Sequence, residues 1–279
     1  MSLRLLTRYG LPRDITPPPA AFSPDDIADL RLWLDAADAS TITASGGAVS
    51  KWTSKDANAR EFTQSSGSLQ PTTGASTLNS LNVVDFASDY LVGTSAESVW
   101  EFLHDGTKHT VFLVWKPGAV ANPNARYTVY STGAVAGDSG AYLAYDDRST
   151  ASRNDVLQHV INNTLSNRAV INTSANDAAT ANAYQIVRVT SDPSNATAAS
   201  RSSIFVNAGS AIANNTQTGT PSSGNPNFTL HVGAVATASP SDQMTGGLAE
   251  MLMYERDMSA QEVEDVEDYL AAKWGITLP

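Results

Sequence analysis

The sequence predicts an all-β protein: an antiparallel β-sandwich with one C-terminal amphipathic helix and an extended N-terminal arm. Three features carry this expectation. Short segments of alternating apolar and polar residues recur along most of the chain, as in Gln185-Ile186-Val187-Arg188-Val189-Thr190. Stretches rich in Ser, Thr, Asn and Gly, such as Ala213–Asn227, lie between them and read as surface loops. Helical spacing appears only at the C-terminal end. Many short strands with no helices between them specify packed antiparallel sheets rather than a parallel α/β sheet. At 279 residues and 42% hydrophobic content, the chain holds enough apolar mass for one large sandwich core.

In chain order, residues 1–22 form a basic arm ending in Pro17-Pro18-Pro19, a run that favours an extended, semi-rigid spacer. Arg4, Arg8 and Arg13 against Asp14 leave +2 on the arm and −13 on the rest of the chain. The domain proper, residues 23–279, follows. Its predicted strands include Leu81–Phe86, Thr110–Lys116, Tyr127–Ser131, Ala141–Tyr145, Tyr184–Thr190, Ser203–Asn207, Thr229–Gly233 and Gly247–Tyr254. Ser259 followed by Glu262 makes a capping box, and Val263, Val266, Leu270 and Trp274 recur at helical spacing until Gly275. The helix is therefore expected over 259–274, with Glu264, Asp265, Glu267 and Asp268 on a solvated face.

Composition narrows the function. A net charge of −11 repels nucleic acid and anionic membrane. The longest apolar run, Val111–Trp115, is far shorter than the ~20 residues that span a bilayer. Arginines interrupt the leucines of the N-terminus, so no export signal is expected there. The absence of cysteine excludes disulfides, thiolate metal sites and cysteine nucleophiles.

Motifs with catalytic overtones give way to plainer readings. Gly137-Asp138-Ser139-Gly140 matches the string around a serine-protease nucleophile, but Gly, Asp and Ser are also what a tight turn requires. His104, His109, His159 and His231 lack zinc spacing and read as packed or surface residues. A glycosidase on a sandwich needs two carboxylates ~5–10 Å apart. The acidic string Glu262–Asp268 falls on the helix, and the strand-borne Asp85 and Glu250 are isolated in sequence. Asp85 with Asp89, Asp146 with Asp147, and Asp192 are candidate oxygen ligands for calcium, with loop solvation as the plainer account. The sequons at Asn162, Asn172, Asn195, Asn214 and Asn227 are about what this composition gives by chance. Tyr127, Tyr130, Tyr142 and Tyr145 cluster around one predicted hairpin, either as core packing or as a stacking platform for sugar rings. Trp33, Trp52, Trp115 and Trp274 sit in apolar patterns and are expected in the core.

Three stretches resemble a known family: Asp25–Gln64, Asn82–Gly93 and Gly246–Ile276, the last ending in Tyr269-Leu270-Ala271-Ala272-Lys273-Trp274. Together they are similar to the laminin-G-like, concanavalin A-like jelly-roll domain found in bacterial surface proteins and tailed-bacteriophage virion proteins. The resemblance implies two antiparallel sheets and a role in binding or adhesion, with glycans or proteins as ligands and calcium in some members. It places Trp33, Trp52, Phe86, Tyr90, Leu91 and Trp274 in the core and transfers no binding residue.

The expected function is therefore a non-enzymatic structural or adhesion protein of a tailed-phage virion. Residues Arg4, Leu5, Leu6, Arg8, Tyr9, Leu11 and Arg13 of the arm would anchor it to other virion proteins. The sandwich would face outward, free to bind host-surface glycans, in a homo-oligomer expected to be a trimer. A free lectin-like module is the alternative, and a glycosidase or lyase on the same fold is the third reading.

Overall fold

The computed structural model describes residues 22–118, 126–133, 139–148, 154–164 and 167–279. Its strands are β1 (Leu30–Asp35), β2 (Ile42–Ser45), β3 (Ala48–Thr53), β4 (Glu61–Thr63), β5 (Thr72–Leu78), β6 (Leu81–Asp89), β7 (Leu91–Gly93) and β8 (His109–Pro117). They continue as β9 (Arg126–Ser131), β10 (Gly140–Asp146), β11 (Val156–Thr164), β12 (Asn167–Thr173), β13 (Gln185–Ser191), β14 (Ser202–Val206), β15 (His231–Val232) and β16 (Met244–Tyr254). One helix, α1 (Ala260–Trp274), follows. The eight strands predicted from sequence are all present, and the pairings are antiparallel throughout.

The strands form one continuous path, β12-β11-β10-β9-β15-β7-β4-β3-β5-β6-β16-β8-β13-β14, with β1 added to β16 and β2 to β3. A single residue pair, Ala48↔Thr72, joins β3 to β5. The path folds there into two layers: a front sheet from β12 to β3 with β2, and a back sheet from β5 to β14 with β1. Alternate residues of both layers point inward and make the main core. Leu32, Leu34, Trp52, Phe62, Leu113, Trp115, Tyr130, Leu143, Tyr145, Leu157 and Met251 lie there with no exposed surface. Gly233, at φ +90°, holds β15 close to the core, because a Cβ there would sit 2.8 Å from the Phe86 ring.

The outer face of the back sheet is covered by α1. Ser259 and Glu262 form the expected capping box, and Gly275 ends the helix in the left-handed conformation at φ 68°. Val266, Leu270 and Trp274 bury against Trp33, Val83, Phe112, Val114, Ile186 and Leu252 in a second core. Glu267 departs from the solvated face the sequence suggests. It is 6% exposed and accepts a 2.8 Å bond from Arg188, whose guanidinium stacks 3.6 Å above Phe205.

A bulge in β16 between Leu248 and Glu250 turns Glu250 toward the helix. Its side chain has no exposed surface, yet both oxygens are satisfied. Oε1 accepts from Trp33 Nε1 at 2.7 Å and Tyr269 OH at 2.9 Å. Oε2 accepts from Trp274 Nε1 at 2.6 Å and Lys273 Nζ at 2.8 Å. Lys273 also reaches Asp35 at 2.8 Å, and Lys55 closes on the other oxygen of Asp35 at 2.9 Å. One carboxylate thus ties β1, β16 and α1 together. Burial pushes its pKa up, while Lys273 draws it back down.

Inside the main core, His109 and His159 meet edge to face across the two layers, ring centroids 6.2 Å apart. His109 donates Nδ1–H to the Thr107 carbonyl at 3.1 Å, and His159 Nδ1 bonds Ser202 Oγ at 2.9 Å. Neither Nε2 has a partner. Burial lowers their pKa values from the usual 6.5 to about 4 and about 3. His104 and His231 are also buried and lowered. All four are the packed residues that their sequence contexts suggest.

Glu250→Ala leaves the Trp33 and Trp274 indole N–H groups and the Tyr269 hydroxyl without their acceptor, and leaves Lys273 with Asp35 alone. It should lower the unfolding free energy by about 3–5 kcal/mol in urea titration. The exposed Glu264→Ala should change it by less than about 0.5 kcal/mol. Because the folded state holds its histidines below their unfolded pKa, stability is complete above pH 6.5 and falls as pH drops. Each buried histidine adds a slope of about 1.4 kcal/mol per pH unit. Urea titrations between about pH 7.5 and 5 should show this decline, with His159→Leu removing about one proton from the slope. A flat profile would contradict the neutral, buried pair.

Candidate functional site

With the back sheet's outer face occupied by α1, the front sheet's outer face is the sheet face that the helix leaves uncovered. Residues opposite one another in neighbouring strands share a face. The register therefore lays a single row across this sheet: Lys51, Thr63, Val92, His231, Ser131, Tyr142, Val160 and Ile171. At ~4.8 Å per strand it runs roughly 30 Å.

The row has an open end and a closed end. Lys51, Thr63 and Val92 are half-buried, whereas His231, Ser131, Tyr142 and Val160 are at most 5% exposed. At the open end lies a cavity of about 390 Å³ lined by Ser50, Thr63, Gln64, Ser65, Tyr90 and Val92. Tyr90 is its only aromatic residue. It follows β6 and precedes the inward-facing Leu91, so alternation turns it outward, and its ring is half-buried.

The platform is braced from below and beside. Gln64 donates its amide to the Tyr90 carbonyl at 3.2 Å and accepts from Ser66 N–H at 3.0 Å. Gln70 in turn donates to the Gln64 carbonyl at 2.7 Å. The His231 imidazole lies nearly parallel to the Tyr90 ring, 13° off and 6.4 Å between centroids. Its Nδ1–H donates to the Thr229 carbonyl at 3.0 Å, and burial keeps the ring neutral at pH 7. Thr63 and Ser65 hydroxyls make no hydrogen bond among the described residues. A fixed aromatic face beside uncommitted hydroxyls can stack an apolar ring face and bond the polar groups at its rim.

The closed end is polar, and two of its arginines are held by carboxylates, whereas Arg168 Nε on β12 has no partner among the described residues. Arg126 forks onto Asp242 at 2.8 and 2.5 Å and lies 5.3 Å over the Tyr142 ring. Arg148 forks onto Asp146 at 2.8 and 2.7 Å. Tyr142 donates to Gln158 at 2.9 Å.

The structure distributes the predicted site residues unevenly. Of the four hairpin tyrosines, Tyr127, Tyr130 and Tyr145 belong to the main core, and only Tyr142 faces outward, at the closed end. Tyr90, expected in the core, is instead the half-buried platform, whereas Trp33, Trp52, Phe86, Leu91 and Trp274 are buried. The arm residues Arg4, Leu5, Leu6, Arg8, Tyr9, Leu11 and Arg13 lie outside the described residues, as do Gly137 and Asp138 of the GDSG string. Among the described residues no group of three or more His, Asp or Glu is placed to hold a metal ion. Of the calcium candidates, Asp146 is engaged by Arg148, Asp89 accepts from Ala87 N–H, and Asp192 lies 3.5 Å from Lys108. Asp35 and Glu250 are directly opposed in register, but both are buried and bridged by Lys273.

No family profile matches the chain, and no curated protein matches it in sequence. Its fold is nevertheless shared with solved structures. The sialidase of Trypanosoma rangeli in complex with 2,3-difluorosialic acid superposes with a TM-score of 0.56 at 12% identity, over 88% of this chain and 33% of that one. The binding domain of botulinum neurotoxin serotype D/C VPI 5993 gives 0.52 at 11% identity, over 89% and 53%. The chain is thus a concanavalin A-like antiparallel β-sandwich of jelly-roll kind with one C-terminal helix. It spans about a third of the sialidase chain and about half of the toxin chain.

Proposed function

We propose that this protein is a non-enzymatic glycan-binding module that holds its ligand in the trough at the open end of the front sheet. The observation that carries this reading is the Tyr90 platform. It is a half-buried ring braced by Gln64 and His231, set beside the Thr63 and Ser65 hydroxyls, which make no hydrogen bond among the described residues, on an outer sheet face that α1 does not cover. The sialidase that shares this fold over about a third of its length is in complex with a sialic-acid derivative, which supports a sugar as the kind of ligand to test. The absence of acids from the trough lining supports a binding rather than a hydrolytic role.

We further propose that the arm anchors the module to a larger assembly, a tailed-phage virion being the reading that the family resemblance favours. The position of the arm's root supports display. Phe22 packs edge-on against Tyr269 of α1, ring centroids 5.9 Å apart, and the Pro24 carbonyl accepts from Tyr254 OH at 2.9 Å. The chain therefore enters the domain on the helix-covered back, opposite the trough. An arm of +2 and a body of −13 suit an anchor seated in an acidic groove with the body held outward. Assembly as a trimer would multiply weak single-site binding.

Three proteins test this on a glycan array and on particles lacking the native protein: the full chain, Tyr90→Ala, and a chain starting at Phe22. Tyr90→Ala should bind glycan at least about tenfold more weakly while still unfolding in one cooperative transition, with its midpoint lowered only by the loss of a half-buried ring. The shortened chain should bind glycan normally and lose the particle. Undiminished binding by Tyr90→Ala would remove the trough as the site. Undiminished particle binding by the shortened chain would remove the anchor.

A further inference from the structure

We infer that the trough selects uncharged sugars and rejects sialylated ones, in contrast to the ligand held by the sialidase that shares its fold. This rests on the glycan reading above and names the ligand class of the same site.

The local argument is the lining. Ser50, Thr63, Gln64, Ser65, Tyr90 and Val92 include no charged side chain. A carboxylate taken out of water needs a cation or several donors, and without them its desolvation is uncompensated. The cation nearest in register is Lys51, opposite Thr63, and it is held by Glu61 at 2.7 Å. Farther along the front sheet, Arg126 is held by Asp242 and Arg148 by Asp146, while Arg168 on β12, at the far end from the trough, has no carboxylate partner among the described residues. A ligand carboxylate would have to displace a protein carboxylate to reach Lys51, Arg126 or Arg148. His231, braced under Tyr90, is buried and bonded through Nδ1 to a carbonyl, so it offers no positive charge.

The second argument is independent of the lining. The body outside the arm carries −13, and such a field disfavours approach of an anionic glycan within a Debye length of about 8 Å at physiological salt. An uncharged pyranose meets neither obstacle. Its apolar face suits Tyr90, and its hydroxyls suit Thr63 and Ser65. Selectivity of this kind comes from withholding a partner from the wrong ligand rather than adding contacts to the right one.

The test uses the full chain on an array carrying matched neutral and sialylated forms of the same oligosaccharides, at low and high salt. The neutral form should bind at least about tenfold more tightly, with no loss at high salt. Glu61→Gln, which releases Lys51 beside the trough, should raise binding of the sialylated form several-fold and leave the neutral form unchanged. Preference of the unaltered chain for the sialylated form, weakening with salt, would overturn this inference while leaving the glycan reading intact. No gain in Glu61→Gln would overturn the Lys51–Glu61 pair as the local filter. Binding of neither form would overturn the glycan reading itself, and this inference with it.

Discussion

A single buried carboxylate decides how this sandwich divides its surfaces. Glu250 sits with no exposed surface under α1, where an unpaired ion would be strongly unfavourable. It is tolerated because two indoles, a phenol and an ammonium converge on its two oxygens. Those donors come from β1 and from the last six residues of α1, so satisfying the charge fixes both elements on the back sheet. Arg188 and Glu267 repeat the arrangement on a smaller scale nearer the middle of the helix. Once the back is committed in this way, the front sheet's outer face is the one where a trough can open, and the arm's root is confined to the other side.

Much of this was legible in the sequence, and the parts that were not share a physical cause. Helix α1 could be read because its signals are local: a capping box, a 3.6-residue apolar period and a terminal glycine. Strands such as β8 and β13 could be read because alternation and β-branched residues coincide. Strand β5 could not, since Thr72–Leu78 lies largely at the surface and no apolar face marks it. Glu250 looked like an isolated acid because Trp33 is more than two hundred residues away in sequence. The bulge that re-aims it leaves no compositional trace. Glu267 looked like one more solvated acid among Glu264, Asp265 and Asp268, and only tertiary placement opposite Arg188 separates it from them.

The aromatic residues make the same point for the site. Tyr127, Tyr130, Tyr142 and Tyr145 formed the visible cluster, and three of them fill the core. Tyr90, alone beside Leu91, was expected inside. The short three-residue strand β7 sets its alternation, and Leu91 rather than Tyr90 takes the inward position. An apolar neighbour on one side and an aspartate on the other do not reveal which way a single residue turns. The signal that could have found it is the glutamine pair, Gln64 and Gln70, whose amides brace the backbone beneath the ring.

In the proposed reading the two faces have separate duties: a closed, carboxylate-tied back that carries the arm, and an open front that carries the ligand. Backbone and indole NMR signals followed during titration with a neutral oligosaccharide test this most directly. Shifts should be confined to the amides of Ser50, Thr63, Ser65, Tyr90 and Val92, with the Trp33 and Trp274 indole signals unmoved. Shifts centred on those indoles and on α1, with the front sheet silent, would contradict it.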